Sequence, residues 1–163
     1  MLVEQHRDRA YGLALRILRT PADAEEVAQD AFVRAWSALP HFRGESSFST
    51  WLHRIVARRA LDRSEVLRRR RGREVSTDPT DATIAEAAHS EDDRSRTRRM
   101  DRLVTALPDP QRAVVTLFYY EGRSVEQVSA ILSMPDGTVK THLSRARAKL
   151  RTAWLKEAGT SVE

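Results

Sequence analysis

The chain has 163 residues and a mass of 18.6 kDa, which is room for one ordinary domain or for two small ones with a linker. Hydrophobic residues make up 40% and charged residues 31%, too apolar for a disordered chain and too charged for a membrane protein. The absence of cysteine excludes disulfides and thiol chemistry, and a net charge of +5 points to a polyanionic partner.

No apolar run approaches the ~20 residues of a membrane span, and the first residues lack a basic segment followed by an apolar one. The expected location is therefore cytoplasmic. The charge is blocked: residues 1–71 carry a net +5, residues 72–97 a net −4 and residues 98–163 a net +4. The acidic block is poor in large apolar residues, so it reads as a flexible linker between two small basic domains.

Almost all of the pattern is helical, which makes the fold class all-α. A first helix is expected over 2–18. Thr20 and Pro21 then read as N-cap and first position of a second helix. It carries Ala24, Val27, Ala28, Ala31, Phe32, Ala35 and Leu39 on one face and Glu25, Glu26, Gln29, Asp30 and Arg34 on the other. Pro40 ends it. Residues 41–47 form a loop around Gly44, and a third helix runs from about 48 to 70, finishing in four arginines.

After the linker, helices are expected over 98–107 and 110–120. Gly122 breaks the chain, and Ser124 and Gln127 form a capping box that opens the next helix. That helix ends near Leu132. Residues 134–137 make a turn, and a last helix begins near Thr138 with Val139, Leu143, Ala146 and Leu150 on its inner face. Two short helices joined by a tight turn form a helix-turn-helix. From Thr138 to Lys156 there are six basic residues and no acidic one. Lys140, Thr141, Ser144 and Arg145 on the exposed face are side chains of the kind that read base edges. The five histidines are scattered, and no metal, cofactor or catalytic constellation is present in the pattern, so the chain is expected not to be an enzyme.

These motifs resemble a known family. Gly122 to Leu132, Pro135 to Lys140 and Arg145 to Leu150 resemble region 4 of bacterial extracytoplasmic-function (ECF) sigma factors, and Leu107 to Arg112 resembles its opening motif. The run Asp23-Ala-Glu-Glu-Val-Ala-Gln-Asp-Ala-Phe-Val-Arg-Ala-Trp36 and the run Phe42 to Leu52 resemble region 2. Region 4 alone also resembles LuxR-type regulators, an alternative that leaves the region 2 motif unexplained.

The resemblance implies a sigma factor that binds core RNA polymerase, recognises the −10 and −35 promoter elements and directs transcription initiation. It implies polymerase binding by Glu25, Glu26, Gln29, Asp30 and Arg34 on the β′ clamp helices, with region 4 at the β flap. It implies −10 binding by Phe42, Arg43, Gly44, Glu45, Ser46, Ser47, Phe48, Trp51, Arg54 and Arg58. It implies −35 binding by Thr138, Lys140, Thr141, Ser144, Arg145 and Lys149. Promoter DNA and an anti-sigma factor are the further partners it implies. Glu26 stands where the family usually has Asp. Arg58 stands where it often has Asn, which leaves the −10 base preference open. The first helix begins close to the start of the chain, so a preceding turn is expected to be missing.

Overall fold

The computed structural model describes residues 2–72 and 91–160, and among them there is no strand. The order is α1 (Leu2–Leu18), α2 (Pro21–Ala38), a 3₁₀ turn (Leu39–His41), α3 (Phe48–Arg71), α4 (Glu91–Thr105), α5 (Asp109–Val115), a π turn (Thr116–Tyr120), α6 (Val125–Leu132) and α7 (Asp136–Thr160).

Helices α1 to α3 form a three-helix bundle around Leu13, Ile17, Leu52 and Val56, all fully buried. The stripe of small residues Ala24, Ala28, Ala31 and Ala35 is the buried face of α2, which allows close helix approach. Phe32 and Leu39, expected on that stripe, are only partly buried. Thr20 sits at the N-cap in extended backbone, but its hydroxyl makes no capping bond. Ser47 does cap α3, accepting from the Thr50 N–H at 3.1 Å.

The second block packs α5, α6 and α7 through Val114, Leu117, Val128, Ile131, Val139 and Leu143. The capping box is formed in both directions: Ser124 Oγ accepts from Gln127 N–H at 3.1 Å, and Gln127 Oε1 accepts from Ser124 N–H at 2.9 Å. Ser133 then takes a left-handed conformation with φ of 54°, turning the chain into α7. Gly122, with φ of +64°, closes the π turn in a conformation that a β-carbon would strain.

Two features differ from the sequence expectation. First, α4 starts at Glu91, inside the stretch read as linker; residues 73–90 lie outside the described residues. Low apolarity suggested a linker, but acids precede arginines in Glu91-Asp-Asp-Arg-Ser-Arg, an order that favours a helix N-terminus. Likewise α7 starts at Asp136, two residues before Thr138, because Pro135 accepts the first amide bonds of the helix. Second, the two blocks do not keep separate cores. A single buried cluster runs from Leu13 and Leu52 to Leu117 and Ile131, with α6 lying against α3 and α5 against α1.

Candidate nucleic-acid interface

On α7, the buried residues Val139, Leu143 and Ala146 fix which face looks outward. Thr138, Lys140, Thr141, Ser144, Arg145 and Lys149 are all exposed, as their spacing predicts. The Thr141 hydroxyl donates to Gly137 O at 2.9 Å, so it meets a ligand as an acceptor. Arg147 is held back: its Nε donates to Tyr119 Oη at 2.6 Å. The far end of α7 is anchored by Arg99, whose guanidinium stacks on Trp154 at 4.1 Å and pairs with Glu157 at 2.7 Å. Trp154 is thus a packing residue. The helix-turn-helix therefore presents a rigid cationic and hydroxyl-bearing stripe at the N-terminal half of α7.

The loop before α3 builds an aromatic platform. Phe42 and Trp51 have ring centroids 4.8 Å apart, Phe48 and Trp51 5.6 Å, and His6 meets Phe48 at 5.1 Å. All three aromatics are half-buried, so the rings hold the loop while keeping an open edge. Arg43, Gly44, Glu45 and Ser46 are exposed, and Gly44 takes φ of +73° at the bend. Ser47 is committed to the α3 cap and to a 2.9 Å bond with Thr50. Arg54 is half-buried one turn further on, and Arg58 is exposed but donates to Ser133 Oγ of the second block.

The polar face of α2 divides into two stripes. Glu26 and Asp30 turn toward α3, where Asp30 accepts from Arg59 at 2.7 Å and Glu26 lies 3.4 Å from Arg63. Arg34 adds a 2.9 Å bond to Asp30, and this arginine, then Arg59, holds the carboxyl below its usual pKa. Arg63 also binds Asp23 at 2.7 Å. The second stripe is Glu25, Gln29, Val33 and Trp36, spaced to share one side and open to solvent. Trp36 is 77% exposed and Val33 66%. Sequence spacing placed Trp36 in a motif but gave it no role; a tryptophan exposed on the face opposite the alanine stripe is the signal for one.

Between the blocks lie two polar clusters that the sequence did not reveal. Arg112, 1% exposed, donates to Ile17 O at the C-terminus of α1 at 2.9 and 2.6 Å, to Leu107 O at 2.6 Å and to Asp109 at 2.6 Å. Ser64 of α3 completes this cluster by donating to Asp109 at 2.6 Å. Burial works against the Asp109 carboxylate, but the bonds from Ser64 and Arg112 outweigh it and hold its pKa down. The second cluster centres on Arg123, just before α6, which donates to Thr50 and Ser49 at 2.8 Å and to His53 Nδ1 at 3.0 Å. Burial, and then the Arg123 charge, push the pKa of His53 down to about 4, so the ring is neutral and accepts through Nδ1.

Two family models match the two blocks. Residues 2–74 match sigma-70 region 2, and residues 97–150 match sigma-70 region 4. The chain is 34% identical to the RNA polymerase sigma-H factor of Pseudomonas aeruginosa, over 94% of this chain and 84% of that one. It is 32% identical to the ECF RNA polymerase sigma factor SigW of Bacillus subtilis, over 92% of this chain and 85% of the relative. The fold matches that of the sigma factor RpoE of Bartonella quintana, solved with the anti-sigma factor NepR, with a TM-score of 0.72, 24% identity and 92% of each chain covered. The chain belongs to the ECF group of RNA polymerase sigma factors.

Proposed function

We propose that this ECF sigma factor docks on core RNA polymerase through α2, reads the −10 element with the loop before α3 and reads the −35 element with α7. The polymerase carries the chemistry and this chain contributes binding, positioning and strand capture, without enzymatic activity of its own. The observation that carries this reading is the pairing of two distinct surfaces in one chain. One is the outward cationic stripe of Lys140, Thr141, Ser144 and Arg145 on a capped helix-turn-helix; the other is the half-open aromatic platform of Phe42, Phe48 and Trp51. A major-groove reader needs the first, and capture of an unstacked base needs the second. A stand-alone regulator would have no use for the second or for the exposed stripe Glu25, Gln29, Val33 and Trp36.

That stripe is the proposed face for the β′ clamp helices, with acid for steering and Trp36 as the buried anchor of the complex. Arg34 and Asp30 lie beside it, and Glu26 and Asp30 also serve the fold by holding α3. An anti-sigma factor is the proposed protein that competes with polymerase for these surfaces. Among the described residues no helix is long and apolar enough to cross a membrane. The proposed location is the cytoplasm, where the chain would work alongside RNA polymerase. The test is reconstitution. Core polymerase mixed with the chain should co-elute with it and select a discrete promoter from a random-sequence library, giving a run-off transcript. No co-elution and no selected sequence would reject the reading.

A further inference from the structure

Arg147 carries a charge that the fold orients but does not neutralise. Its Nε donates to Tyr119 Oη at 2.6 Å, and its guanidinium carbon lies 5.6 Å from the centre of the Tyr119 ring. Among the described residues this is the one hydrogen bond that Arg147 makes, and no carboxylate lies within ion-pair reach of it. Arg59, Arg63 and Arg99 are fixed by acids instead. A phenol oxygen directs the guanidinium, leaves its full charge facing outward and leaves both terminal amino groups unspent.

Tyr119 is itself braced. Its ring meets Phe118 edge-on, with centroids 5.0 Å apart and planes at 80°, and Phe118 packs on the buried cluster. The π turn carries both rings, and Tyr119 is 52% exposed. A solvent-facing bond of this kind adds little to stability, so support of the fold does not account for the pair. Helical spacing shows where the guanidinium points. Lys140 and Arg147 are seven residues apart, two turns of α7, and share one flank; Arg145 and Lys149, four apart, share the opposite flank. Thr141 and Ser144 lie between the flanks, away from the buried Val139, Leu143 and Ala146. A helix lying in the major groove has a phosphate backbone on each side of it.

We propose that Arg147 is a phosphate clamp for the −35 duplex and that Tyr119 is its positioning residue: the phenol holds the guanidinium so that its two free amino groups meet one backbone phosphate on the flank opposite Lys149. This rests on the proposed entry of α7 into the major groove. A planar fork matches two phosphate oxygens, and fixing it in advance removes the ordering cost that a free arginine meets on binding. The contact reads no base. It fixes the orientation of α7 and so the register at which Thr141, Ser144 and Arg145 meet base edges.

The test uses holoenzyme reconstituted from core polymerase and the full-length chain, titrated by fluorescence anisotropy with matched and scrambled −35 duplexes over a salt series. Arg147→Ala should weaken binding about tenfold on both duplexes and lower the salt slope by about 0.9. Tyr119→Phe, which removes only the hydroxyl, should weaken both about threefold, while the slope, set by the number of phosphates neutralised, keeps its wild-type value. Combined with Arg147→Ala it should add nothing, because no guanidinium is left to position. The melting temperatures of both single variants should match that of the wild type. Wild-type affinity for Arg147→Ala overturns the clamp. Additive losses from the two substitutions overturn the positioning role, and so does a lowered melting temperature for Tyr119→Phe, which would make the pair a brace of the fold. The two readings fail differently. A holoenzyme with no preference for the matched duplex rejects the −35 reading, whereas a preference and an affinity untouched by either variant leave that reading standing and reject the clamp.

Discussion

Arg145 and Lys149 sit on the same exposed side of α7 but one helical turn apart, and that turn separates two kinds of contact. A helix entering the major groove N-terminus first can bring Arg145 to a base edge, whereas Lys149 reaches only phosphate. Arg145→Ala should therefore cost about 1–3 kcal/mol on the cognate −35 duplex and little on a scrambled one. Lys149→Ala should weaken both alike and lower the salt slope by about 0.9. Fluorescence anisotropy over a salt series separates them, and equal loss on both duplexes for Arg145→Ala would leave only a phosphate contact. On α2, Trp36→Ala should weaken core polymerase binding by about 2 kcal/mol, the scale of an interface hot spot, with no loss of thermal stability, because the ring is 77% exposed in the free chain. Charge reversal at Asp30 is the less clean probe, since it also breaks the 2.7 Å bond to Arg59. The spacing of the acids was legible from the sequence. Their division into a fold-holding stripe and an open stripe was not, because it depends on where Arg59 and Arg63 of α3 arrive.

The helices themselves were the most legible level. The span of α1, the start of α2 at Pro21, the start of α3 at Phe48 and the reciprocal cap on α6 all follow from local chemistry and agree with the structure. What local chemistry misread was α4, where polarity masked a favourable charge order, and the role of Ser47, which reads as a loop hydroxyl but caps α3. For the loop proposed to read the −10 element this shifts the informative variants to Arg43 and Ser46, which are exposed and outside the aromatic packing. Their joint replacement by Ala should reduce permanganate reactivity of bubble thymines more than it reduces binding to closed duplex, because a base is captured only after unstacking. An unchanged bubble would make this a plain surface loop. The α3–α6 contact also carries a pH signature. His53 titrates near 4 in the folded chain against about 6.5 when unfolded, so the unfolded form binds more protons at acidic pH. Stability contributed by the neutral ring is complete above about pH 6.5 and is lost as pH falls toward 4. The groups facing His53 are Arg123, Glu121, His6 and Arg9, and burial raises the Glu121 pKa, which partly opposes the trend. The melting temperature of the His53→Gln chain should depend less on pH across this window than that of the wild type. Identical slopes would remove His53 from the account.

At the scale of the whole molecule, charge blocks and motif order reveal two functional halves, and the family models fall on those same halves. That the halves share one buried cluster was not legible. Arg112 and Arg123 read in sequence as two more basic residues of a basic block, and nothing local predicts that one would be 1% exposed against a carbonyl of α1. Long-range packing of this kind is decided by shape complementarity between faces, which single-sequence periodicity does not encode. Each half nevertheless keeps its own surface: the aromatic platform in one and the α7 stripe in the other. The central claim is that one copy of this chain, with core polymerase, reads two separated DNA elements with those two surfaces. The most direct measurement is a footprint of the reconstituted holoenzyme on a selected promoter, comparing wild type with Arg145→Ala and with the Arg43, Ser46 double alanine variant. The account predicts two protected patches about 25 base pairs apart, roughly 85 Å of B-form DNA, with Arg145→Ala weakening the upstream patch and the loop variant weakening the downstream opening. A single protected patch, or two patches that both variants weaken alike, would contradict it.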